Sequence, residues 1–399
     1  METSPAAAVA RPLALPLWKE LLPLCLIVFL EFLAMGLPLP VLPVYVHETL
    51  GFGPLVIGLV LGMQSIATLA TRHAAGTRSD DQGPKRTALI GLIISAAAGA
   101  VSALSTVTTS PAVGLSVLLV GRALLGLGES LVITSALAWG VALAGRERSG
   151  LVMAWVGIAM YGAIAVGAPL GSAIDSGFGF AGLCIAAMVA PLVGTIGTIV
   201  VRPVNAARGM RIPFTRVIKL IILPGTGLAL CAIGFGAIAG FSALAFADRG
   251  WGHAELAMTA FGIAYVLARL AFGKFPDRFG GARVAVASAA TAAVGQLGMW
   301  LAPSAGLSSA AAAITGLGFS LAFPSFGVVA IRQVPPQNRG VALGAYTAFF
   351  DATMGFGVPV LGLIVGPFGY GAAFATAMIA ALGSLAVAAV LVVRPGARG

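Results

Sequence analysis

Apolar residues occur along this chain in long blocks that are separated by short polar segments. The blocks run for about twenty residues or more and recur from residue 21 to residue 393. A helix of about 20 residues is long enough to cross the ~30 Å hydrocarbon core of a bilayer. The pattern predicts helices over twelve segments: 21–46, 54–76, 87–107, 112–142, 150–174, 180–201, 220–246, 254–274, 283–302, 306–332, 339–366 and 370–393.

The composition indicates that lipid surrounds these helices. Hydrophobic residues make up 59 % of the chain, charged residues make up 9 %, and the mean hydropathy is +1.02. Soluble domains carry about 25 % charged residues. The 54 glycines suit helices that must pack closely in lipid without a hydrophobic driving force. We therefore predict an all-α integral membrane protein with twelve transmembrane helices.

The net charge of +10 is explained by the position of the cations. Nineteen Lys and Arg residues fall in alternate loops and at the termini on one side, whereas Arg249 alone falls on the other side. This asymmetry predicts a multi-pass protein of the cell (inner) membrane with both termini in the cytoplasm, and it disfavours nucleic acid as a partner. The first apolar run is too long for the core of a signal peptide, so we expect it to be retained.

The two halves of the sequence match each other at two offsets. An offset of 197 residues aligns Arg72 with Arg269, Gly76 with Gly273, Asp80 with Asp277, Gly83 with Gly280 and Arg86 with Arg283. An offset of 190 residues aligns Gly126 with Gly316, Gly128 with Gly318, Ser130 with Ser320, Gly150 with Gly340, Gly167 with Gly357 and Pro169 with Pro359. A repeat of six helices gives both halves the same orientation. We predict two parallel-related six-helix bundles, 1–201 and 220–399, joined by the basic linker 202–219.

The aligned loops carry a recognisable motif. Residues 76–86 are GTRSDDQGPKR and residues 273–283 are GKFPDRFGGAR. Both resemble the G-x-x-x-D-[RK]-x-G-[RK]-[KR] signature of the major facilitator superfamily, although Asp81 stands where a basic residue is usual. The resemblance to this superfamily covers nearly the whole chain. It implies a cytoplasmic gate formed by Arg72, Gly76, Asp80, Gly83, Arg86, Arg269, Gly273, Asp277, Arg278, Gly280 and Arg283.

Other segments resemble particular branches of that superfamily. Residues 40–43 are similar to the P-x-x-P of drug exporters, and Arg122-x-x-x-Gly126-x-Gly128 is similar to a motif of proton-coupled members. Gly167, Pro169 and Gly171 are similar to the G-P-x-x-G antiporter motif, with Ala168 inserted after the first glycine. Residues 36–52 and 323–340 resemble arabinose-efflux-type bacterial permeases. The resemblance implies export by antiport.

Few ionisable residues lie within the predicted helices. A charge at the bilayer centre costs roughly 2.5–3.5 kcal/mol on insertion scales, so each such residue needs a partner or a watery cavity. Arg122 and Glu129 lie seven residues apart on one helical face, which predicts about 10 Å of axial separation. We expect Glu31, Arg122, Glu129 and Asp351 to bind protons or substrate. The alternative is that they form structural ion pairs between helices.

Substrate candidates are the polar and aromatic residues of the same segments, namely Gln64, Tyr161, Gln296, Phe349 and Phe350. Aromatic residues at helical spacing can equally be packing residues. The three histidines are too scattered for a metal site, and no cofactor is predicted.

The function expected from these features is secondary active transport. We expect proton-coupled antiport that exports a small solute by alternating access, performed by a monomer in the lipid bilayer. The solute could be a sugar such as arabinose, or an amphipathic drug. Both asparagines, Asn205 and Asn338, lie in loops, which leaves few amides for a sugar. A facilitator or a proton-symport importer stays open. An enzyme is not predicted, and an ATP-driven pump is disfavoured because a GxxxxGK[ST] loop is missing.

Overall fold

The computed structural model describes residues 17–145, 148–204, 214–334 and 339–393, and the regular elements within these ranges are helices. The first half of the chain forms α1 (Leu17–Gly36), α2 (Pro54–Gln82), α3 (Pro84–Leu104), α4 (Pro111–Ala144) and α5 (Ser149–Val200). A proline occupies the first turn of α2, α3 and α4, where its missing N–H is not needed for the helix.

The second half follows the same plan. It forms α6 (Phe214–Asp248), α7 (Glu255–Phe272), α8 (Gly281–Leu301), α9 (Ala305–Arg332), α10 (Arg339–Ala352), α11 (Val358–Phe368) and α12 (Gly371–Val393). A π turn, Thr353–Gly357, joins α10 to α11. The short helix Phe275–Phe279 connects α7 to α8.

Ten helical spans within the described ranges are long and apolar enough to cross a membrane. The span Gly150–Val200 has 51 residues, which is far longer than one crossing needs, and Gly179 interrupts its helical geometry with a φ of 65°. The apolar part of α1, Leu21–Gly36, is shorter than the other ten. The helix predicted over 21–46 ends at Gly36, because Pro38, Pro40 and Pro43 follow, and it continues as Leu42–Val44 and the π turn Tyr45–Thr49.

Helices pack mainly within each half, and two contacts join the halves. In the first half α1 packs on α5, and α4 packs on α2 and α3. In the second half α9 packs on α7 and α8, and α12 packs on α6 and α8. Between the halves, α5 packs on α7, and α2 packs on α10, the π turn and α11.

The close approaches of the first half recur in the second half. A Cβ added to Gly128 would lie 2.7 Å from the carbonyl oxygen of Gly91, and one added to Gly318 would lie 2.7 Å from that of Ser288. Ser288 follows Gly91 by 197 residues, and Gly318 follows Gly128 by 190 residues. The offsets found in the sequence therefore relate equivalent contacts in three dimensions.

The beginning of the predicted linker is held against the first half. The indole nitrogen Nε1 of Trp139 donates to the carbonyl oxygen of Arg202 at 2.8 Å, and Nζ of Lys85 donates to that of Val201 at 3.1 Å. Residues 205–213 of the linker lie outside the described residues.

Candidate functional site

The first half contains a group of polar side chains that we call the polar cluster: Glu31, Gln64, Thr68, Ser95, Arg122 and Glu129. Ser95 Oγ donates to Glu31 Oε1 at 2.5 Å, and Gln64 Nε2 donates to Glu129 Oε2 at 2.6 Å. Glu31 and Gln64 are buried, and Glu129 is partly exposed. The second carboxyl oxygen of Glu31 has no hydrogen-bond partner in the described structure. Two carboxyl groups on α1 and α4 thus face uncharged donors.

Arg122 lies at one side of the polar cluster. It is buried, and its Nε has no partner among the described atoms. With Ser95 it lines a narrow cleft that is bounded by Pro38, Phe180 and Cys184. In the described part of the chain no ion pair joins Arg122 to Glu129, in keeping with their separation along α4.

A buried ion pair connects the two halves beside the polar cluster. Arg72 Nε on α2 donates to Asp351 Oδ2 on α10 at 2.8 Å, and a terminal guanidinium nitrogen bonds to the same oxygen. The side chains are 14 % and 5 % exposed, respectively. Both charges also interact electrostatically with Glu129. Asp351, the acid predicted for the second half, is therefore linked to the acids of the first half through Arg72.

Six rings form a second group, which we call the aromatic cluster: Tyr161, Phe235, Phe261, Tyr265, Phe319 and Phe350. Tyr161 on α5 stacks on Tyr265 on α7, with ring centroids 3.8 Å apart and an interplanar angle of 26°. Because α5 and α7 belong to different halves, this stack is also a contact between the halves. Phe350 adjoins Asp351, so the two groups are neighbours on α10.

Arg269 lies next to the aromatic cluster. One terminal nitrogen donates to the hydroxyl of Tyr265 at 2.7 Å, and the guanidinium carbon lies 5.3 Å from the centre of that ring. Arg269 is 7 % exposed, and its Nε has no partner among the described atoms. No carboxylate of the described ranges forms an ion pair with it.

Two of the predicted substrate candidates lie elsewhere. Gln296 is buried within the second half, where Nε2 donates at 3.3 Å to the carbonyl oxygen of Gly234 and to Thr315 Oγ1. Phe349 packs against Gly225. The structure therefore brings Gln64, Tyr161 and Phe350 close to the central charges, whereas Gln296 is bonded inside its own half.

The predicted gate residues are distributed over two tight turns and the helix ends beside them. Gly83 and Gly280 have φ values of 86° and 90°, which only glycine adopts without strain. Arg86, Arg283, Asp277 and Arg278 are exposed, and Asp80 is partly buried. Gly76 and Gly273 lie near the cytoplasmic-side ends predicted for α2 and α7, one turn beyond Arg72 and Arg269.

The antiporter-like motif lies where α1 and α5 approach most closely. A Cβ added to Gly167 would lie 2.8 Å from the carbonyl carbon of Gly36, and Gly171 faces the carbonyl oxygen of Leu37. Pro169 lies between these two glycines inside α5. The motif thus packs one helix on another at backbone distance.

Sequence reasoning missed Ser95 and four members of the aromatic cluster: Phe235, Phe261, Tyr265 and Phe319. The signal for three of them was present in the repeat. The offset of 197 aligns Gln64 with Phe261 and Thr68 with Tyr265, and the offset of 190 aligns Glu129 with Phe319. A residue that faces the centre of the protein in one half therefore predicts that the aligned residue of the other half also faces the centre.

The sequence matches the Major Facilitator Superfamily over residues 24–252 and 225–399. An uncharacterized MFS-type transporter of Salmonella typhimurium is 44 % identical over 361 residues, which cover 90 % of this chain and 93 % of the relative. An uncharacterized MFS-type transporter of Burkholderia mallei is 41 % identical over 365 residues, covering 91 % and 89 %.

Solved structures show the same fold at low sequence identity. The human organic anion transporter MFSD10 superposes with a TM-score of 0.71 at 15 % identity, covering 94 % of this chain and 100 % of that one. The nucleoside transporter NupG gives a TM-score of 0.73 at 18 % identity, covering 92 % and 98 %.

Proposed function

The chain belongs to the Major Facilitator Superfamily and transports a small solute across a membrane, and on that premise we propose that it is a proton-coupled antiporter that exports the solute. The observation that carries the proposal is the Arg72–Asp351 ion pair, which joins the two halves beside a third charge, Glu129. Alternating access requires the halves to move against each other, so this pair must part or be neutralised during the cycle.

A proton is a suitable trigger for that step. Removing one charge of a buried ion pair costs about 3–5 kcal/mol when the other charge stays buried and unpaired. The cation therefore needs a new partner as the pair breaks. A proton on Asp351 ends its attraction to Arg72 and leaves the cation to Glu129, whose carboxyl accepts a hydrogen bond from Gln64. Glu31, held by Ser95, is a second proton acceptor on the same side. The three acids then form one coupled set, with Arg122 at its edge.

The topology belongs to the same proposal. The span Gly150–Val200 supplies two crossings that meet at Gly179, and α1 supplies one more, so that the ten apolar spans give twelve. The bundles are 1–201 and 220–399, and the loop charges favour an inner membrane with both termini in the cytoplasm. In that orientation the aligned turns at Gly83 and Gly280 lie on the cytoplasmic side, as a gate there requires. The protein acts as a monomer.

The residues that meet between the halves favour an amphipathic solute over a sugar. Six aromatic rings lie there, whereas a sugar needs a hydrogen-bond partner for each hydroxyl. Gln64 already bonds to Glu129, and Gln296 bonds inside the second half.

Proteoliposomes with an imposed pH gradient test the proposal. We expect the gradient to drive movement of an amphipathic aromatic solute and not of labelled arabinose. Glu129→Gln and Asp351→Asn should each uncouple movement from the gradient, and Glu31→Gln should weaken it. Transport that ignores the gradient and is unchanged in all three variants would instead identify a facilitator. Accumulation with the proton, rather than against it, would identify a symport importer.

A further inference from the structure

The two contacts between the halves are equivalent in the repeat, but they differ in charge. The offset of 197 aligns Arg72 with Arg269, and the offset of 190 aligns Tyr161 with Asp351. In the α2–α10 contact an arginine faces an aspartate. In the α5–α7 contact the equivalent arginine, Arg269, lies beside the stacked pair Tyr161 and Tyr265. The second contact therefore has the cation without the acid.

The environment of Arg269 leaves its positive charge unbalanced. The side chain is 7 % exposed, Tyr265 is its hydrogen-bond partner, and Nε is unpaired in the described structure. Burying a cation in this way is costly unless an anion or an aqueous cavity compensates it. A Cβ added to Gly157 would lie 3.8 Å from a terminal nitrogen of Arg269, so the backbone of α5 passes beside the guanidinium without a side chain.

The rings beside Arg269 add a second feature of a binding site. Tyr161 and Tyr265 lie parallel across the junction of the halves, and Phe235, Phe261 and Phe319 continue the apolar surface. When the halves separate, the Tyr161–Tyr265 stack parts and exposes two ring faces next to the cation. Flat apolar groups bind between such faces, and a planar guanidinium pairs with a carboxylate through two parallel hydrogen bonds.

We propose that the transported solute is an organic anion with a flat apolar body, and that Arg269 binds its anionic group in the place that Asp351 occupies at the equivalent contact. This assignment rests on the proposed transport function and specifies its substrate class. Tyr161 and Tyr265 hold the apolar body. In the α2–α10 contact the protein itself supplies both members of the ion pair, Arg72 and Asp351. In the α5–α7 contact the anionic group of the solute takes the place of the aspartate and pairs with Arg269.

Equilibrium binding of radiolabelled 2-naphthoate to the purified full-length protein tests the assignment. We expect unlabelled 2-naphthoate to displace the label, whereas 2-naphthylmethanol, 2-naphthylmethylammonium and arabinose should not. Arg269→Gln should weaken binding at least about tenfold, because charge-assisted bonds are the stronger ones. Arg148→Gln, which removes the same charge from an exposed position, should leave binding unchanged.

Tyr161→Asp is a second variant that does not depend on losing Arg269. It places an acid at the position that the repeat aligns with Asp351. The new carboxylate should pair with Arg269 and abolish naphthoate binding. The variant should still elute from a size-exclusion column as a single species. Undiminished binding in Tyr161→Asp or in Arg269→Gln would overturn the assignment, as would displacement by the ammonium compound.

The outcome also separates this assignment from the proposed function. Movement of a cationic dye on a pH gradient, undisturbed by Arg269→Gln, would overturn the anion site and leave proton-coupled transport intact. Naphthoate binding that requires Arg269, in vesicles that ignore the gradient, would support the anion site and overturn the coupling.

Discussion

The polar cluster of the first half and the second-half rings of the aromatic cluster occupy equivalent places in the repeat, yet they share almost no chemistry. Gly126 packs on the carbonyl oxygen of Gln64, and Gly316 packs on that of Phe261, so the backbones meet in the same way. The side chains differ, because Gln64 and Glu129 are replaced by Phe261 and Phe319. The comparison teaches that the repeat preserves helix packing, while the side chains that face the centre are free to specialise. At these aligned positions the first half carries polar groups and the second half carries apolar rings.

The largest effect should follow from breaking the Arg72–Asp351 ion pair, which has no counterpart among the described residues of the α5–α7 contact. Asp351→Asn removes the carboxylate that bonds directly to buried Arg72, which should lower the free energy of unfolding by about 3–5 kcal/mol. Tyr161→Phe, at the equivalent position, should change it by less than about 1 kcal/mol, since the ring stack remains. Thermal unfolding in detergent measures both.

A double variant checks that the loss comes from the unpaired cation. Arg72→Gln combined with Asp351→Asn removes both charges, and it should recover much of the stability lost in Asp351→Asn. If the double variant is no more stable than the single one, the two residues do not act as a pair.

The next effect tests the shared backbone packing. Gly126→Ala and Gly316→Ala each place a methyl group against a backbone carbonyl, on Gln64 and Phe261 respectively. We expect similar losses in the two halves, about 1–3 kcal/mol each, because neither backbone can move away easily. Urea or thermal unfolding would measure them. Gly150→Ala is the matched control, since nothing lies within 4 Å of its added Cβ. A large loss in one half alone would show that the packing is not equivalent.

The general architecture was readable from the sequence because it depends on patterns that span many residues. Apolar blocks indicated the helices, and the repeat offsets relate contacts that the structure shows in both halves, such as Gly128 on Gly91 and Gly318 on Ser288. Local geometry was less accessible. The break after Gly36 depends on how three nearby prolines are accommodated, and the break within Ser149–Val200 depends on the backbone torsions of a single residue, Gly179.

The candidate site was only partly predictable for a related reason. The charged residues could be identified from the sequence because few charged side chains lie in the apolar segments. Partners with ordinary side chains carry no such signal: Ser95 is one serine among many, and its bond to Glu31 follows from how α3 faces α1. The same holds for the phenylalanines of the aromatic cluster, whose grouping depends on the packing of four helices of the second half.

A moderate effect should follow from removing the hydrogen bond that Ser95 gives to Glu31. Ser95→Ala deletes a donor to a buried carboxyl, which is worth about 1 kcal/mol, so transport driven by a pH gradient should fall by up to about tenfold. Ser135→Ala is the matched control, because that hydroxyl bonds to carbonyl groups of its own helix. Equal transport in the two variants would show that Ser95 does not contribute to proton coupling. The second half has Ala292 at the position equivalent to Ser95, so the repeat does not reproduce this hydrogen bond there.

The smallest effect concerns a contact that the repeat has left in the first half alone. Lys85 Nζ donates to the carbonyl oxygen of Val201 just beyond the C-terminus of α5, whereas the offset of 197 places Ala282 at the equivalent position. A cation at a helix C-terminus contributes about 0.3–1 kcal/mol at a partly exposed site. Lys85→Met should therefore lower the free energy of unfolding by that amount, with less loss at high salt. Lys274→Met, which removes an exposed lysine near the equivalent turn, should leave stability unchanged under both conditions. A salt-independent loss in Lys85→Met would assign the contribution to its aliphatic stem, and the two halves would then differ there in packing rather than in charge.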